Sequence, residues 1–159
     1  MSKEPEAGGK TSDDNPRVFV PPPLIFAGLL AVGLLIDSDP ASLGLVQIIG
    51  AALALIGLAL IATAIGLFRG SKTRAEPWRP SSALVQGGIY RFTRNPMYLG
   101  MAAFSLGLAL VFSSFAGALM AILATVIVDR LVVSREEAYL ARRFGQDYLE
   151  YRRAVRRWL

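Results

Sequence analysis

Three long stretches of this chain carry no charged side chain: Val18–Ile36 with 19 residues, Pro40–Phe68 with 29 and Asn95–Val128 with 34. Together they make 82 of 159 residues. About 20 mostly apolar residues, wound as a helix, cross the ~30 Å hydrocarbon layer of a bilayer. Each stretch meets or nearly meets that length. In an ordinary soluble domain apolar residues recur with a period and seldom run on uninterrupted, so such a domain is excluded. The expectation is an all-α integral membrane protein.

The third stretch is too long for one crossing. At ~1.5 Å per residue it would reach about 51 Å as a single helix. Phe112-Ser113-Ser114-Phe115 interrupts it near the middle, and a helical hairpin follows. Four spans result, at about 24–36, 43–68, 96–112 and 115–133. The first begins after Pro21, Pro22 and Pro23, and the second carries Gly50, Ala54, Gly57 and Ala64 as flat surfaces for close helix packing. Residues 1–17, rich in Pro, Gly, Ser and acids, read as a disordered tail with no signal-peptide pattern. Residues 18–159 read as one domain, with a cytosolic loop at 69–94 and a cytosolic tail at 134–159.

The charges set the orientation. The loop 69–94 holds Arg69, Lys72, Arg74, Arg79, Arg91 and Arg94 against the single acid Glu76, and eight Arg follow Val128. The turns at Asp37–Pro40 and Ser113–Ser114 hold no basic residue. With four spans all 17 basic residues share one side, which the positive-inside rule makes the cytosol. Both termini then face the cytosol, as in a bacterial or archaeal inner membrane. Tyr148, Tyr151, Val155 and Trp158 recur at helical spacing, with Arg152, Arg153, Arg156 and Arg157 on other faces. This predicts a basic amphipathic helix continuing from the fourth span and lying on anionic headgroups. The net charge of +5 is thereby assigned to membrane phosphates, with nucleic acid not expected.

Cysteine and histidine are both absent. Disulfides, Cys or His zinc sites and Ser-His or Cys-His catalysis are excluded. A carboxylate metal site is not expected either, because the adjacent Glu136 and Glu137 diverge by about 100° on a helix. Two segments remain able to carry chemistry. In Ser81–Gly100 (SSALVQGGIYRFTRNPMYLG) a Gly-Gly turn, two Tyr and two Arg precede a helix start, with Asn95 at the N-cap and Pro96 at the first helical position. Free amides there can hold a carboxylate or a hydroxyl; the plainer alternative is a capped helix with interfacial Arg and Tyr. In Asp129–Glu137 (DRLVVSREE) ionisable groups sit where the fourth helix leaves the bilayer, a depth at which such groups tend to face a bundle interior. The alternative is Arg snorkelling beside a solvated Glu pair.

The run Arg94-Asn95-Pro96-Met97-Tyr98-Leu99-Gly100, preceded by Leu84-Val85 and Gly88-Ile89-Tyr90, resembles the signature of the isoprenylcysteine carboxyl methyltransferase-like family, itself related to the phospholipid N-methyltransferases. Arg135-Glu136-Glu137, Phe144-Gly145, Tyr148, Tyr151 and Trp158 resemble that family's carboxyl-terminal half. The two blocks cover about residues 78–159. The resemblance implies a membrane methyltransferase using S-adenosylmethionine, with its cofactor pocket on the cytosolic side. Position by position it implies cofactor contacts from Leu84, Val85, Tyr90, Asn95, Pro96, Met97, Tyr98 and Glu136. Asn95 and Ser82 stand where eukaryotic members have His. Val132 stands where they have an Arg implicated in substrate binding, with Arg130 two residues earlier as the candidate to position substrate. The implied acceptor is lipid-like or small and apolar, such as the carboxylate of a prenylcysteine. The alternatives are a phospholipid amine, a non-enzymatic lipid-binding scaffold, and a small transporter, against which the absence of charge within the spans, in the runs 18–36, 40–68 and 95–128, counts.

Overall fold

The computed structural model of the chain describes residues 20–39, 44–70 and 83–159. The tail 1–17, Pro40, the expected start of the second span at 43, and Lys72, Arg74, Arg79 and Ser82 of the central loop lie outside the described residues. Among those described there are helices and connecting turns, with no strand.

The first helix, α1 (Pro22–Asp37), begins two residues earlier than the proline run suggests. The first turn of a helix has no intrahelical acceptor for its N–H groups, so Pro22 and Pro23 cost nothing there. α2 (Leu45–Gly70) is followed by a 3₁₀ turn at Gly88–Arg91 and by α3 (Pro96–Val111), which opens on Pro96. α4 (Phe115–Val128) starts at an N-cap, where Ser114 Oγ accepts from the Gly117 N–H at 2.8 Å. It runs into a π-helical turn (Asp129–Val133), then α5 (Ser134–Phe144) and α6 (Gln146–Ala154).

In α2 the buried residues are Gly50, Ala54, Gly57 and Ala64, while Leu45, Val46, Ile48, Ile49, Leu55, Ile56 and Leu58 are exposed. α4 repeats the pattern, burying Gly117, Ala121, Ala124 and Val128 and exposing Leu119, Ile122, Leu123 and Val126. This inverts the rule for water-soluble proteins, in which large apolar residues go inside. It is the arrangement expected where the surroundings are as apolar as the core and close backbone packing supplies the attraction. α2 and the continuous helix Phe115–Phe144 are long and apolar enough to cross a membrane; α1 and α3 are shorter apolar helices.

α2 lies along one side of α3, and α1 and α4 pair on the other. Glycine makes both seams possible. A Cβ on Gly57 would come 2.6 Å from the Gly100 carbonyl oxygen, and one on Gly33 of α1 would come 2.5 Å from Gly117 Cα. The turn after α1 and the turn between α3 and α4 are bonded to each other. Asp37 Oδ2 accepts from the Ala116 N–H at 2.9 Å, Asp37 Oδ1 accepts from the Ser114 hydroxyl, and the Asp39 N–H donates to the Phe112 carbonyl at 2.8 Å. Gln47, near the start of α2, donates to Ser113 Oγ. The four helices therefore alternate in direction, with these polar turns at one end. The starts of α1 and α3, the end of α2 and the exit of α4 lie at the other.

The carboxyl-terminal segment departs from the single amphipathic helix expected. Gly145, at φ +53°, breaks it between α5 and α6, and α6 stops at Ala154 with Val155 extended. Tyr148 and Tyr151 turn inward rather than toward headgroups and are almost fully buried. Periodicity did not show this, because the contacts that reward leaving the helix come from residues 90–95 and 129–137.

Candidate active site

The charged end of the bundle is assembled from the start of α3, the exit of α4 and the segment after α6. The π turn matters first. Its extra residue rotates α5 by roughly 100° relative to the α4 register, and Ser134 Oγ donates back to the Asp129 carbonyl at 3.0 Å. Glu136 and Glu137 both end up facing protein, on different partners.

Glu137 is buried and fully engaged. Arg157 approaches it side-on, with Nε 3.1 Å from Oε1 and Nη2 2.7 Å from Oε2, and Arg94 Nη1 lies 3.1 Å from Oε1. Paired, planar contacts of this kind are the strongest form of the ion pair. Arg157 Nη1 also reaches Asp129 Oδ1 at 3.3 Å, and the Trp158 indole N–H donates to the same oxygen at 3.1 Å. Arg94 donates to the Tyr148 hydroxyl at 3.4 Å, while its buried Nε has no hydrogen-bond partner. Two arginines and two carboxylates thus balance.

Glu136 is the carboxylate left over. Tyr98 donates to its Oε1 at 3.0 Å, and among the described residues it has no cationic partner. Burial raises its pKa to about 7; the Tyr98 hydrogen bond opposes this and the neighbouring Glu137 charge adds to it. The residue as a whole is partly buried. Tyr90 stands close enough that the Glu136 charge adds to the burial and the Tyr151 effect that raise its phenol pKa.

Of the residues singled out from sequence, Val85, Tyr90 and Met97 meet in one apolar cluster with Ala64, and the Tyr90 ring sits edge-on to Phe68 at 5.5 Å. Tyr98 belongs to the adjoining cluster with Phe26, Ala124, Val128, Val132 and Val133. Pro96 is fully buried beneath it. Leu84 is partly buried beside Val85. Asn95 occupies the N-cap position of α3 but makes no capping bond: its side-chain N–H donates to the Arg157 carbonyl at 3.0 Å. It therefore holds the tail. Arg130 faces outward, its side chain 77% exposed and 3.4 Å from Asp129. Val132 is buried against Tyr98, so the position that holds an Arg in the resembled eukaryotic enzymes is here part of an apolar wall.

Sequence reasoning missed the Arg94–Glu137–Arg157–Asp129 network. Arg157 looked like one of four headgroup-facing arginines, and nothing in its spacing separates it from Arg156. The only signal was the adjacency of Glu136 and Glu137, whose divergent directions send one to Tyr98 and the other to the arginines.

A phospholipid methyltransferase family profile matches residues 45–147, which include Tyr90, Tyr98, Glu136 and Glu137. Over 72 residues the chain is 35% identical to the protein-S-isoprenylcysteine O-methyltransferase of Schizosaccharomyces pombe, a match covering 45% of this chain and 30% of that enzyme. It is 33% identical over 63 residues to an uncharacterized protein of Haemophilus influenzae, covering 40% of this chain and 100% of that protein. No solved structure matches. With the family profile spanning most of the chain and both of its charged blocks, the protein belongs to the phospholipid methyltransferase family.

Proposed function

We propose that this chain is an integral-membrane methyltransferase that takes its methyl group from S-adenosylmethionine and delivers it to a lipid-like acceptor on the cytosolic side. The observation that carries the reading is Glu136: a carboxylate on α5, facing α3, with one tyrosine hydrogen bond and no cationic partner among the described residues. A carboxylate with its desolvation uncompensated suits a positively charged ligand. S-adenosylmethionine carries positive charge on both its sulfonium and its ammonium group, so the donor set fits. When bound it supplies an activated methyl group.

The chain's own residues then do three things. Glu136 and Tyr98 bind and orient the cofactor's cationic part. Tyr90, Val85 and Met97 form the apolar wall that keeps water away. The helix packing brings the reacting atoms into line, which is most of what a direct displacement needs. A carboxylate acceptor is already ionised near pH 7, so the absence of His does not impede esterification. Val132 in the wall and Arg130 on the outside favour an acceptor recognised by its apolar part.

Four spans support the membrane location: α1, α2, α3 and the helix from Phe115 to about Val133. The large exposed apolar faces and the bonded polar turns at the uncharged end argue for it. All the basic residues then lie at the site's end, which the positive-inside rule makes cytosolic.

Methylation of a phospholipid amine is a second reading, favoured by the same residue. An amine must lose a proton, and Glu136, with its pKa raised to about 7, can take one near neutrality. Radiolabelled methyl from the cofactor, traced into extracted host lipids, separates the two: an alkali-labile ester in one case, a stable amine in the other. Calorimetry of the detergent-purified protein with S-adenosylhomocysteine tests the cofactor. No binding to the intact protein overturns the enzyme reading; unchanged binding in Glu136→Ala and Tyr98→Ala overturns the site.

A further inference from the structure

We propose that Arg157, which touches neither Tyr98 nor Glu136, is a positioning residue that locks α5 onto the start of α3 and so sets the Tyr98–Glu136 pair for ligand binding. The proposal rests on the reading above for its ligand, but its geometry is independent of it.

Tyr98 stands in the first turn of α3, and Glu136 stands on α5 beyond the π turn. The segment after α6 bridges them. Its backbone is held to the α3 side by three bonds: the Arg94 N–H to the Arg156 carbonyl at 3.0 Å, and the Thr93 hydroxyl and the Asn95 amide to the Arg157 carbonyl at 3.1 and 3.0 Å. Its side chain is held to the α5 side by the two-pronged contact with Glu137 and by Asp129. One residue thus has its main chain on one element and its guanidinium on the other. Glu137 is next to Glu136 in sequence, so a shift of Glu137 carries Glu136 with it. A guanidinium fork fixes both distance and angle, which an ammonium on a flexible stem does not.

The test uses the full chain in detergent. Because cysteine is absent, spin labels on Phe92→Cys and Ala138→Cys, both at exposed positions, report only the separation of the α3 start from α5. Arg157→Gln is expected to broaden that distance distribution and to weaken S-adenosylhomocysteine binding about tenfold or more. It is also expected to shift the pH of half-maximal binding. Arg157→Lys should recover part of each effect. Arg156→Gln, an exposed side chain beside it, should behave as wild type. Glu137→Gln, which also loses the Arg94 contact, should show at least the effects of Arg157→Gln, and the double variant should fall short of the sum of the two single ones, since they share the Arg157–Glu137 link.

Wild-type affinity and pH midpoint in Arg157→Gln overturn the proposal. So does lost affinity with an unchanged distance distribution, which would place Arg157 in direct contact with the ligand. A lowered Tm with the pH midpoint unmoved also overturns it, as does additivity of the two single variants. If Arg157→Gln does not fold, Arg157→Lys and Glu137→Gln carry the same comparison. If the wild type itself binds no S-adenosylhomocysteine, the functional reading fails and the label distances alone decide the lock.

Discussion

Glu136 and Glu137 differ by one position and by their whole chemistry. Glu137 meets two arginines; Glu136 meets a phenol. Removing the Glu137 charge leaves Arg94 without a carboxylate partner and Arg157 with Asp129 alone, so Glu137→Gln is expected to destabilise the fold by about 2–4 kcal/mol, at or below the usual cost of breaking a buried pair because Arg157 is partly exposed and keeps that second contact. Thermal unfolding in detergent measures it. Glu136 has the opposite sign. Its folded pKa lies above its ordinary 4.5, at about 7, so the folded state holds the proton more tightly than the unfolded chain. Its contribution makes stability fall as pH rises from about 4.5 to about 7 and level off above, and Glu136→Gln removes that slope. A cationic ligand favours the ionised form. Binding at pH 6 should therefore release close to one proton, and affinity should rise with pH up to about 7. Calorimetry in buffers of different ionisation enthalpy reads the proton directly.

At the scale of elements, glycine and the caps set the packing. Gly57 and Gly107 sit where α2 and α3 touch backbone to backbone, and a Cβ on Gly107 would strike Ala54. Gly57→Leu cannot be absorbed by a side-chain rotation and should cost about 1–3 kcal/mol or more, seen as loss of monodisperse protein or a lowered Tm. Gly66, whose Cβ would meet nothing, is the control: Gly66→Ala should be neutral or slightly stabilising. At the other end Ser114 caps α4 and bonds Asp37. Ser114→Ala should lower stability by about 1 kcal/mol without changing ligand affinity, because that turn lies a helix length from Glu136. The π turn is the least local of these features. Its consequence, both glutamates facing protein, appears three to four residues further on.

For the molecule as a whole the proposed topology has one active face. With no native cysteine to interfere, Ser113→Cys and Arg153→Cys are expected to react with an impermeant thiol reagent from opposite sides of sealed vesicles. Labelling of both from the same side would remove the four-span arrangement. Much of this scale was legible early. The first three helices begin and end within two residues of the expected spans, the fourth begins at the expected Phe115, and the residues buried in α2 are the four small ones that stood out in the sequence. The tail was not legible. Its Tyr and Trp spacing fits a helix, yet the backbone leaves the helix after Ala154 because Thr93, Arg94 and Asn95 satisfy the freed carbonyls of Arg156 and Arg157.

Charge segregation by itself placed the apolar helices and the charged end of the bundle, because burying an unpaired charge in an apolar medium costs more than any local preference returns. Of the motif residues, Val85, Tyr90 and Met97 share one apolar cluster, and Tyr98, in the second, bonds Glu136. Which glutamate is paired and which is left open, why Asn95 holds the tail instead of capping α3, and what Arg157 does were decided only by the tertiary structure. Each depends on partners 20 to 62 residues away in the chain, and hydrogen bonds over such separations leave no periodicity in a sequence.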